Sequence, residues 1–112
     1  MAISQAMCTS FKVELLDGIH AFGTTVVRAA TTADTFKIAL YTSSATLSAS
    51  TTAYTTSNEC PSTGNYSAGG NTLTNGGVTA SNTSASAGTG YTTFSNSTWT
   101  NATVTARGAL IY

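Results

Sequence analysis

Apolar residues recur at helical spacing in the segment 9-TSFKVELLDGIHAF-22. Four of them, at steps of four, four and three, share one face of a helix: Phe11, Leu15, Ile19 and Phe22. Thr9 or Ser10 can cap the first turn, because a side-chain oxygen there accepts hydrogen bonds from unpaired amides. Gly18 can end the helix. The pattern predicts a helix over about residues 9–18.

The segment 35-TFKIALYT-42 alternates between two faces, as expected of a strand. Its apolar face and the last apolar positions of the chain predict a core of Phe36, Ile38, Leu40, Val104, Leu110 and Ile111. The following segment, about 43–64, has no sustained period of either kind. Loops longer than about 12 to 15 residues are usually functional or disordered, so we expect a functional loop or arm there.

Turn signals divide the rest of the chain. Asn75-Gly76-Gly77 stands between two apolar residues, and Asn-Gly favours a two-residue hairpin turn because both positions then need positive φ. The low-complexity stretch 80–90 predicts a second loop, and 91–95 and 102–112 predict two late strands. The apolar ending 109-ALIY-112 is typical of a terminus held by the fold or by a neighbouring subunit.

These elements predict a mainly β fold: a single β-sandwich or barrel-like domain with one short N-terminal α-helix and long Ser/Thr-rich loops. We expect residues 1–112 to form that one domain, with the β part over about 34–112.

Charged residues make up only 7% of the chain, against about 25% in typical proteins, and the net charge is zero. A free domain with so few charges has little protection against association, so we expect other protein to cover much of its surface. The basic residues are scattered singly: Lys12, Arg28, Lys37 and Arg107. Nucleic-acid binding is therefore not expected.

No apolar run approaches the roughly 20 residues that span a bilayer, so we expect no membrane partner. The start, MAISQAMCTS, lacks the basic and apolar regions of a signal peptide, which favours synthesis in the cytoplasm. Cys8 and Cys60 could form one disulfide, although in a reducing compartment two thiols are the commoner outcome.

Candidate chemistry is sparse. His20 and four carboxylates are the main groups for acid or base catalysis, and no nucleophile motif accompanies them. Cys8, Asp17 and His20 match no metal-ligand spacing. We therefore expect no enzyme activity, no metal and no cofactor. Trp99 with Tyr91 or Tyr54 could form a platform for sugars, but aromatic residues more often fill a core or a subunit interface.

Four segments, which together cover just over half of the chain, resemble a group of small structural proteins of tailed bacteriophages: 11-FKVELLDGIHAF-22, 34-DTFKIALYTSSATLSASTTAYTTSNE-59, 66-YSAGGNTLTN-75 and 101-NATVTARGALIY-112. The resemblance implies a non-enzymatic virion component, and we favour a capsid cement (decoration) protein. Such a protein binds the major capsid protein and its own copies, often as a homotrimer on the capsid exterior.

Under this resemblance, residues 43–59 would be an arm that is laid across a neighbour and ordered on assembly. Its short side chains can adapt their hydrogen bonds, and tyrosines would anchor it. The interface residues that we expect are Tyr41, Tyr54, Trp99, Arg107 and Tyr112. Arg107 either pairs with Glu59 or Asp34 or faces solvent.

Two other hypotheses remain open at this stage. One is a tail or head-to-tail component in which Trp99 and the tyrosines contact a receptor or a glycan. The other is a small hydrolase that uses His20 and Asp17, for which the sequence offers little support.

Overall fold

The computed structural model describes residues 3, 5–20, 22–23, 32–82 and 88–112. Its elements, in chain order, are α1 (Thr9–Leu16), β1 (Lys37–Tyr41), β2 (Asn71–Thr72), β3 (Asn75–Ser81), β4 (Thr89–Phe94) and β5 (Gly108–Ile111). All strand pairs are antiparallel, in one three-stranded and one two-stranded open sheet. The prediction of a mainly β chain with one short helix is confirmed.

The chain contacts divide it into two compact units. The helix unit comprises Met1–Ala33 and Asn75–Phe94, and it contains α1, β3 and β4. The tyrosine unit comprises Asp34–Thr74 and Ser95–Tyr112, and it contains β1, β2 and β5. That all 112 residues form a single domain stays a prediction.

The helix α1 is shorter at its end than the predicted 9–18. Its last turn closes with a bond from the Gly18 amide to the Leu15 carbonyl and another from the Ile19 amide to the Glu14 carbonyl, at 3.1 and 2.9 Å. Gly18 has φ +71°. This is a Schellman motif, in which a left-handed glycine satisfies the last free carbonyls. Gly18 therefore ends the helix, as predicted.

The predicted side-chain cap at the start of α1 is wrong. Cys8 occupies the cap position and makes no side-chain cap hydrogen bond, while Thr9 is already helical and buried. The helical spacing also fails beyond Leu16, because the chain turns away at Gly18 and leaves Ile19 and Phe22 largely exposed.

The predicted hairpin turn at Asn75-Gly76-Gly77 is also wrong. These residues begin β3, which pairs with β4, and the register shifts between Asn75 and Val78. Gly77 has φ +80°, and its amide donates to Oδ1 of Asn75 at 2.8 Å. One extra residue in a strand makes a bulge, which needs a left-handed glycine as a hairpin turn does. The same residues are therefore compatible with a hairpin turn or with a bulge. In this structure they form a bulge, because they pair with β4.

Of the remaining predictions in this part of the chain, the strand at 91–95 is observed as β4. The predicted loop at 80–90 contains residues 83–87, which lie outside the described residues. Its flanks extend β3 to Ser81 and begin β4 at Thr89.

In the tyrosine unit the strand order is β2-β1-β5. The predicted strand at 35–42 is confirmed as β1, whereas only Gly108–Ile111 of the predicted 102–112 forms a strand. Lys37 and Tyr112 exchange both backbone hydrogen bonds, at 2.8 and 3.0 Å, so Tyr112 is fixed beside the start of β1.

The core lies on the opposite face of β1 from the predicted one. The buried apolar residues are Ala39, Tyr41, Cys60, Tyr66 and Leu73. Of the predicted core, Phe36, Ile38, Leu40, Val104 and Leu110 are only half-buried, and Ile111 is 50% exposed. Both faces of β1 carry apolar side chains. The face that carries Ala39 and Tyr41 is the one that becomes buried.

Candidate functional site

The carboxylate of Glu59 is the centre of a hydrogen-bonded cluster in the tyrosine unit. Oε2 accepts from the Tyr54 hydroxyl at 2.5 Å, and Oε1 accepts from the Tyr66 hydroxyl at 2.9 Å and from the Gly69 amide at 2.6 Å. A β-bridge to Tyr41 holds the Glu59 backbone beside β1. Three donors therefore satisfy this half-buried carboxylate within its own unit.

Tyr54 connects this carboxylate to the end of β5. Its ring stacks on Tyr112 with centroids 4.5 Å apart and an interplanar angle of 17°. The Tyr112 hydroxyl in turn donates to the Gly69 carbonyl at 2.8 Å. The Gly69 carbonyl thus accepts a hydrogen bond from Tyr112, and the Gly69 amide donates one to Glu59. Together with Tyr54, these residues form a closed ring of contacts.

Tyr66 and Tyr41 form the buried side of the cluster. Tyr66 is fully buried; its hydroxyl accepts from the Leu40 amide at 2.9 Å while donating to Glu59. Tyr41 is 1% exposed and donates its hydroxyl to the Thr55 carbonyl at 2.5 Å. In both tyrosines the ring is therefore held by burial and the hydroxyl by hydrogen bonds.

These environments keep the phenols protonated. Burial raises the pKa of Tyr66 to about 12, and its hydrogen bond to Glu59 adds to the rise while the bond to the Leu40 backbone opposes it. The hydrogen bond to Glu59, followed by burial, raises the pKa of Tyr54. Burial also raises the pKa of Tyr41. The cluster thus consists of stable donors around one acceptor, an arrangement that fixes structure.

The segment between β1 and Glu59 is a closed loop, which we call the 42–58 loop. The Thr42 amide donates to the Asn58 carbonyl at 3.0 Å, and the Asn58 side-chain amide donates to the Ser44 carbonyl at 3.1 Å. Tyr54, near the end of the loop, is held by Glu59 as described. The ends and the tyrosine anchor of the expected arm therefore bind their own unit, and they are ordered in the single chain rather than on assembly.

The tip of this loop, residues 45–53, makes local hydrogen bonds. The Thr51 amide donates to the Ser48 carbonyl at 3.0 Å, and the Ser48 amide donates to the Thr51 hydroxyl at 2.9 Å. Most of its side chains are exposed, and none is charged. The tip is a small polar surface on a fixed base.

Three of the five predicted interface residues meet in the Glu59 cluster: Tyr41, Tyr54 and Tyr112. That they contact another subunit stays a prediction; in this structure Tyr41 lies inside its own unit. Trp99 packs its ring 5.5 Å from that of Tyr66. Trp99 is half-buried, and among the described residues its buried Nε1 has no hydrogen-bond partner.

Arg107 faces solvent, which was the second of its two expected environments. Its backbone amide donates to the Tyr41 carbonyl at 2.8 Å, but its side chain forms no ion pair within the described part of the chain. Among the described residues of this single chain Arg107 pairs with neither Glu59 nor Asp34, and tyrosines and a backbone amide occupy the Glu59 oxygens; a pair across a subunit interface stays a prediction.

The residues considered for catalysis or metal binding lie apart from this cluster. His20 Nε2 is 2.6 Å from Oε2 of Glu14, and both side chains are about 40% exposed. Within the described ranges, no three His, Cys, Asp or Glu residues are grouped so that they could hold a metal ion. Cys8 and Cys60 are both free thiols, the first exposed and the second buried.

From the sequence, Glu59 was expected only as a partner for Arg107, and no role was predicted for Tyr66. One signal could have identified Glu59: it is the only charged residue between Lys37 and Arg107. A lone carboxylate in about 70 uncharged residues needs donors from neutral side chains, and tyrosine hydroxyls are available on both sides of it.

Comparison with protein families, with curated proteins and with solved structures found no match to this chain. In the part of the chain that the structure describes, no helix has the length and apolar character needed to cross a bilayer.

Proposed function

We propose that this chain is a non-enzymatic structural protein of a phage virion, a capsid cement protein that binds across the joints between capsomers. Its partners in this proposal are the major capsid protein and its own copies, assembled as a homotrimer on the capsid exterior after synthesis in the bacterial host cytoplasm. Nucleic acid, membrane and cofactors have no part in it.

The observation that carries this proposal is the 42–58 loop. Its tip is uncharged, and its base is fixed through Tyr54 and Glu59. A loop that is already ordered loses less entropy when it binds a partner, and short uncharged side chains lose little hydration in an interface. Both properties suit a loop that contacts a shell protein through shape and hydrogen bonds.

The resemblance to phage structural proteins and the low charge of the chain support the same function. The predicted β-sandwich or barrel-like architecture belongs to the proposal; what the structure contains is two open antiparallel sheets, one in each unit. The alternative, a tail component that contacts a glycan, has less support because the Trp99 ring is half-buried against Tyr66. The hydrolase hypothesis has less still, since His20 is paired with Glu14.

A reconstruction of purified virions by cryo-electron microscopy tests the location directly. We expect density for this chain at the capsomer joints over the whole shell, with the 42–58 loop against a neighbouring protein. Density confined to the tail or its vertex would overturn the cement proposal and favour the tail component.

A binding assay tests the loop itself. Capsid shells assembled without this protein are mixed with the purified chain, and the bound fraction is measured by sedimentation. We expect Ala49→Glu, in the exposed tip, to weaken shell binding by about tenfold or more, because a buried carboxylate would be unpaired. Ala106→Glu, which is also exposed but lies outside the loop, serves as the control. Equal binding by both variants would remove the loop from the interface.

A further inference from the structure

Large apolar side chains are exposed where the chain leaves α1. The exposed fractions are 54% for Leu16, 57% for Ile19 and 77% for Phe22, and we call these three residues the helix-end patch. The Phe22 ring packs edge-on against Phe11 with centroids 5.9 Å apart, which holds it beside the helix. Single exposed apolar residues are ordinary, but a group of them indicates a surface that binds another molecule.

A groove of about 410 Å³ adjoins this patch and shares Leu16 with it. We call it the helix groove; it is lined by Lys12, Leu15, Leu16, Gly88, Thr89 and Gly90. The glycines let α1 approach β4 closely, since a Cβ at Gly90 would lie 3.0 Å from the backbone and side chain of Lys12. The same chain thus presents protruding apolar side chains and, next to them, a largely apolar recess.

Two of the polar contacts around these surfaces are made within the chain. The Lys12 ammonium donates to the Gly88 carbonyl at 2.5 Å, and His20 Nε2 lies 2.6 Å from Oε2 of Glu14. Asp17, next to Leu16, is exposed and forms no ion pair among the described residues, so a partner on this surface must leave its carboxylate in water. Among the described residues of the helix unit Lys12 is the only Lys or Arg, which disfavours an anionic polymer or an anionic lipid surface as the partner.

We propose that the partner is a second copy of this chain, with Ile19 and Phe22 of one copy entering the helix groove of the other. This inference rests on the proposed function in that it identifies the surface of self-assembly. A second copy provides both complementary surfaces, and copies with zero net charge do not repel each other.

The area predicts a weak single contact that closure of the oligomer reinforces. A fully exposed large side chain presents roughly 200 Å², so the exposed fractions of Ile19 and Phe22 amount to about 270 Å². A groove that receives them loses about as much, so one contact buries roughly 540 Å² in total, less than a standard specific interface. In a closed oligomer each copy takes part in two such contacts, and both must break before the copy is released.

Sedimentation velocity of the full chain over a range of concentrations tests the self-contact. We expect a closed oligomer that Ile19→Asp and Phe22→Asp each weaken by at least tenfold, because the new carboxylate would be buried without a partner. Ile3→Asp is the matched control, since Ile3 is fully exposed outside the patch. A monomer at every concentration, or an oligomer that both variants leave unchanged, would overturn the proposal.

Cysteine pairing tests the geometry without an added charge, in case the Asp variants unfold. Two variants with one added cysteine each, Phe22→Cys and Thr89→Cys, are made in a Cys8→Ser background that keeps the buried Cys60, then mixed and oxidised. We expect a covalent pair that joins position 22 of one copy to position 89 of the other. Ile111→Cys, exposed in the tyrosine unit, should pair with neither. Equal pairing of all combinations, or none, would contradict the contact.

The tests of the self-contact can succeed or fail independently of the test of the proposed function. A monomer that nevertheless occupies the capsomer joints would overturn only the self-contact. Conversely, an oligomer that Ile19→Asp dissociates would stand even if virions carried the protein at the tail alone.

Discussion

The hydroxyl of Tyr54 lies 2.5 Å from Oε2 of Glu59, and this contact helps to hold the far end of the 42–58 loop. The two residues are only five apart in sequence, yet their contact joins distant parts of the chain. The Tyr54 ring stacks on Tyr112, while Glu59 receives Tyr66 and Gly69 from the chain beyond it. One acidic residue therefore contributes to the order of an uncharged loop, together with the bonds from Tyr41 to Thr55 and from Thr42 to Asn58.

Replacing Tyr54 by Phe should lower the free energy of unfolding by about 1–2 kcal/mol, since the lost bond is to a charged acceptor in a partly exposed site. The ring and its stacking on Tyr112 are retained. Urea unfolding measures the loss. Hydrogen exchange of the Thr42 amide, which bonds to Asn58 at the loop base, should become faster because the loop end is released.

The matched control is Tyr91→Phe. Tyr91 lies in β4 of the helix unit and its ring is 38% exposed. We expect this change to alter stability by less than about 0.5 kcal/mol. Equal losses in the two variants, or unchanged exchange at Thr42 in Tyr54→Phe, would show that the contact to Glu59 does not hold the loop.

Alkaline pH should destabilise the tyrosine unit through Tyr66. Its pKa is about 12 in the folded chain and 10.0 for an ordinary tyrosine, so the folded state holds the proton more tightly. The resulting stability is fully present below pH 10 and is lost as the pH rises through 12. Absorbance of tyrosinate and thermal unfolding between these pH values measure the two effects.

In a Tyr66→Phe variant this part of the pH dependence should disappear, although the variant begins from a lower stability because Glu59 loses a donor. The same alkaline loss in wild type and variant would assign the effect to other tyrosines.

The pattern of β1 predicted the strand but not its buried face. Alternation is visible in the sequence because it is local, whereas the choice between the Leu40 face and the Ala39–Tyr41 face depends on which distant residues cover it. Tyr66 is 26 residues beyond Leu40 and hydrogen-bonds to its amide. A contact of that range leaves no periodic signal, so the core was assigned to the wrong side.

The candidate site likewise has one part that the sequence predicts and one part that it does not. Tyr41, Tyr54 and Tyr112 could be selected from sequence because tyrosine offers a large ring and a polar tip, and the structure does bring them together. Their common acceptor could not be identified in that way, since any of four carboxylates was possible. Burial of Glu59 among neutral donors is a property of the assembled unit.

A Gly70→Ala substitution should destabilise the tyrosine unit by about 3 kcal/mol or more. Gly70 has φ +69°, and an added Cβ would overlap the carbonyl of Ile38 in β1. Both the backbone conformation and the packing therefore exclude a side chain. Thermal unfolding of the purified variant measures the loss.

Two other glycines of the tyrosine unit, Gly69 and Gly108, separate the effect of the backbone conformation from the effect of packing. Gly69 has φ +94° but only ordinary contacts for a Cβ, so Gly69→Ala should cost about 1 kcal/mol. Gly108 has open space and no positive φ, so Gly108→Ala should be nearly neutral. A Gly70→Ala loss no larger than that of Gly69→Ala would mean that β1 moves away from the new Cβ.

The two thiols should differ sharply in reactivity. Cys8 is exposed, whereas Cys60 is 2% exposed, its Sγ lies 3.6 Å from the Thr105 carbonyl, and burial raises its thiol pKa. Because the thiolate is the reactive form, Cys60 should react only when the tyrosine unit opens. An aromatic disulfide reagent should therefore titrate one thiol quickly in the native chain and two in denaturant. Cys8→Ser should remove the fast reaction, and two fast thiols in the wild type would contradict the burial of Cys60 beside Glu59.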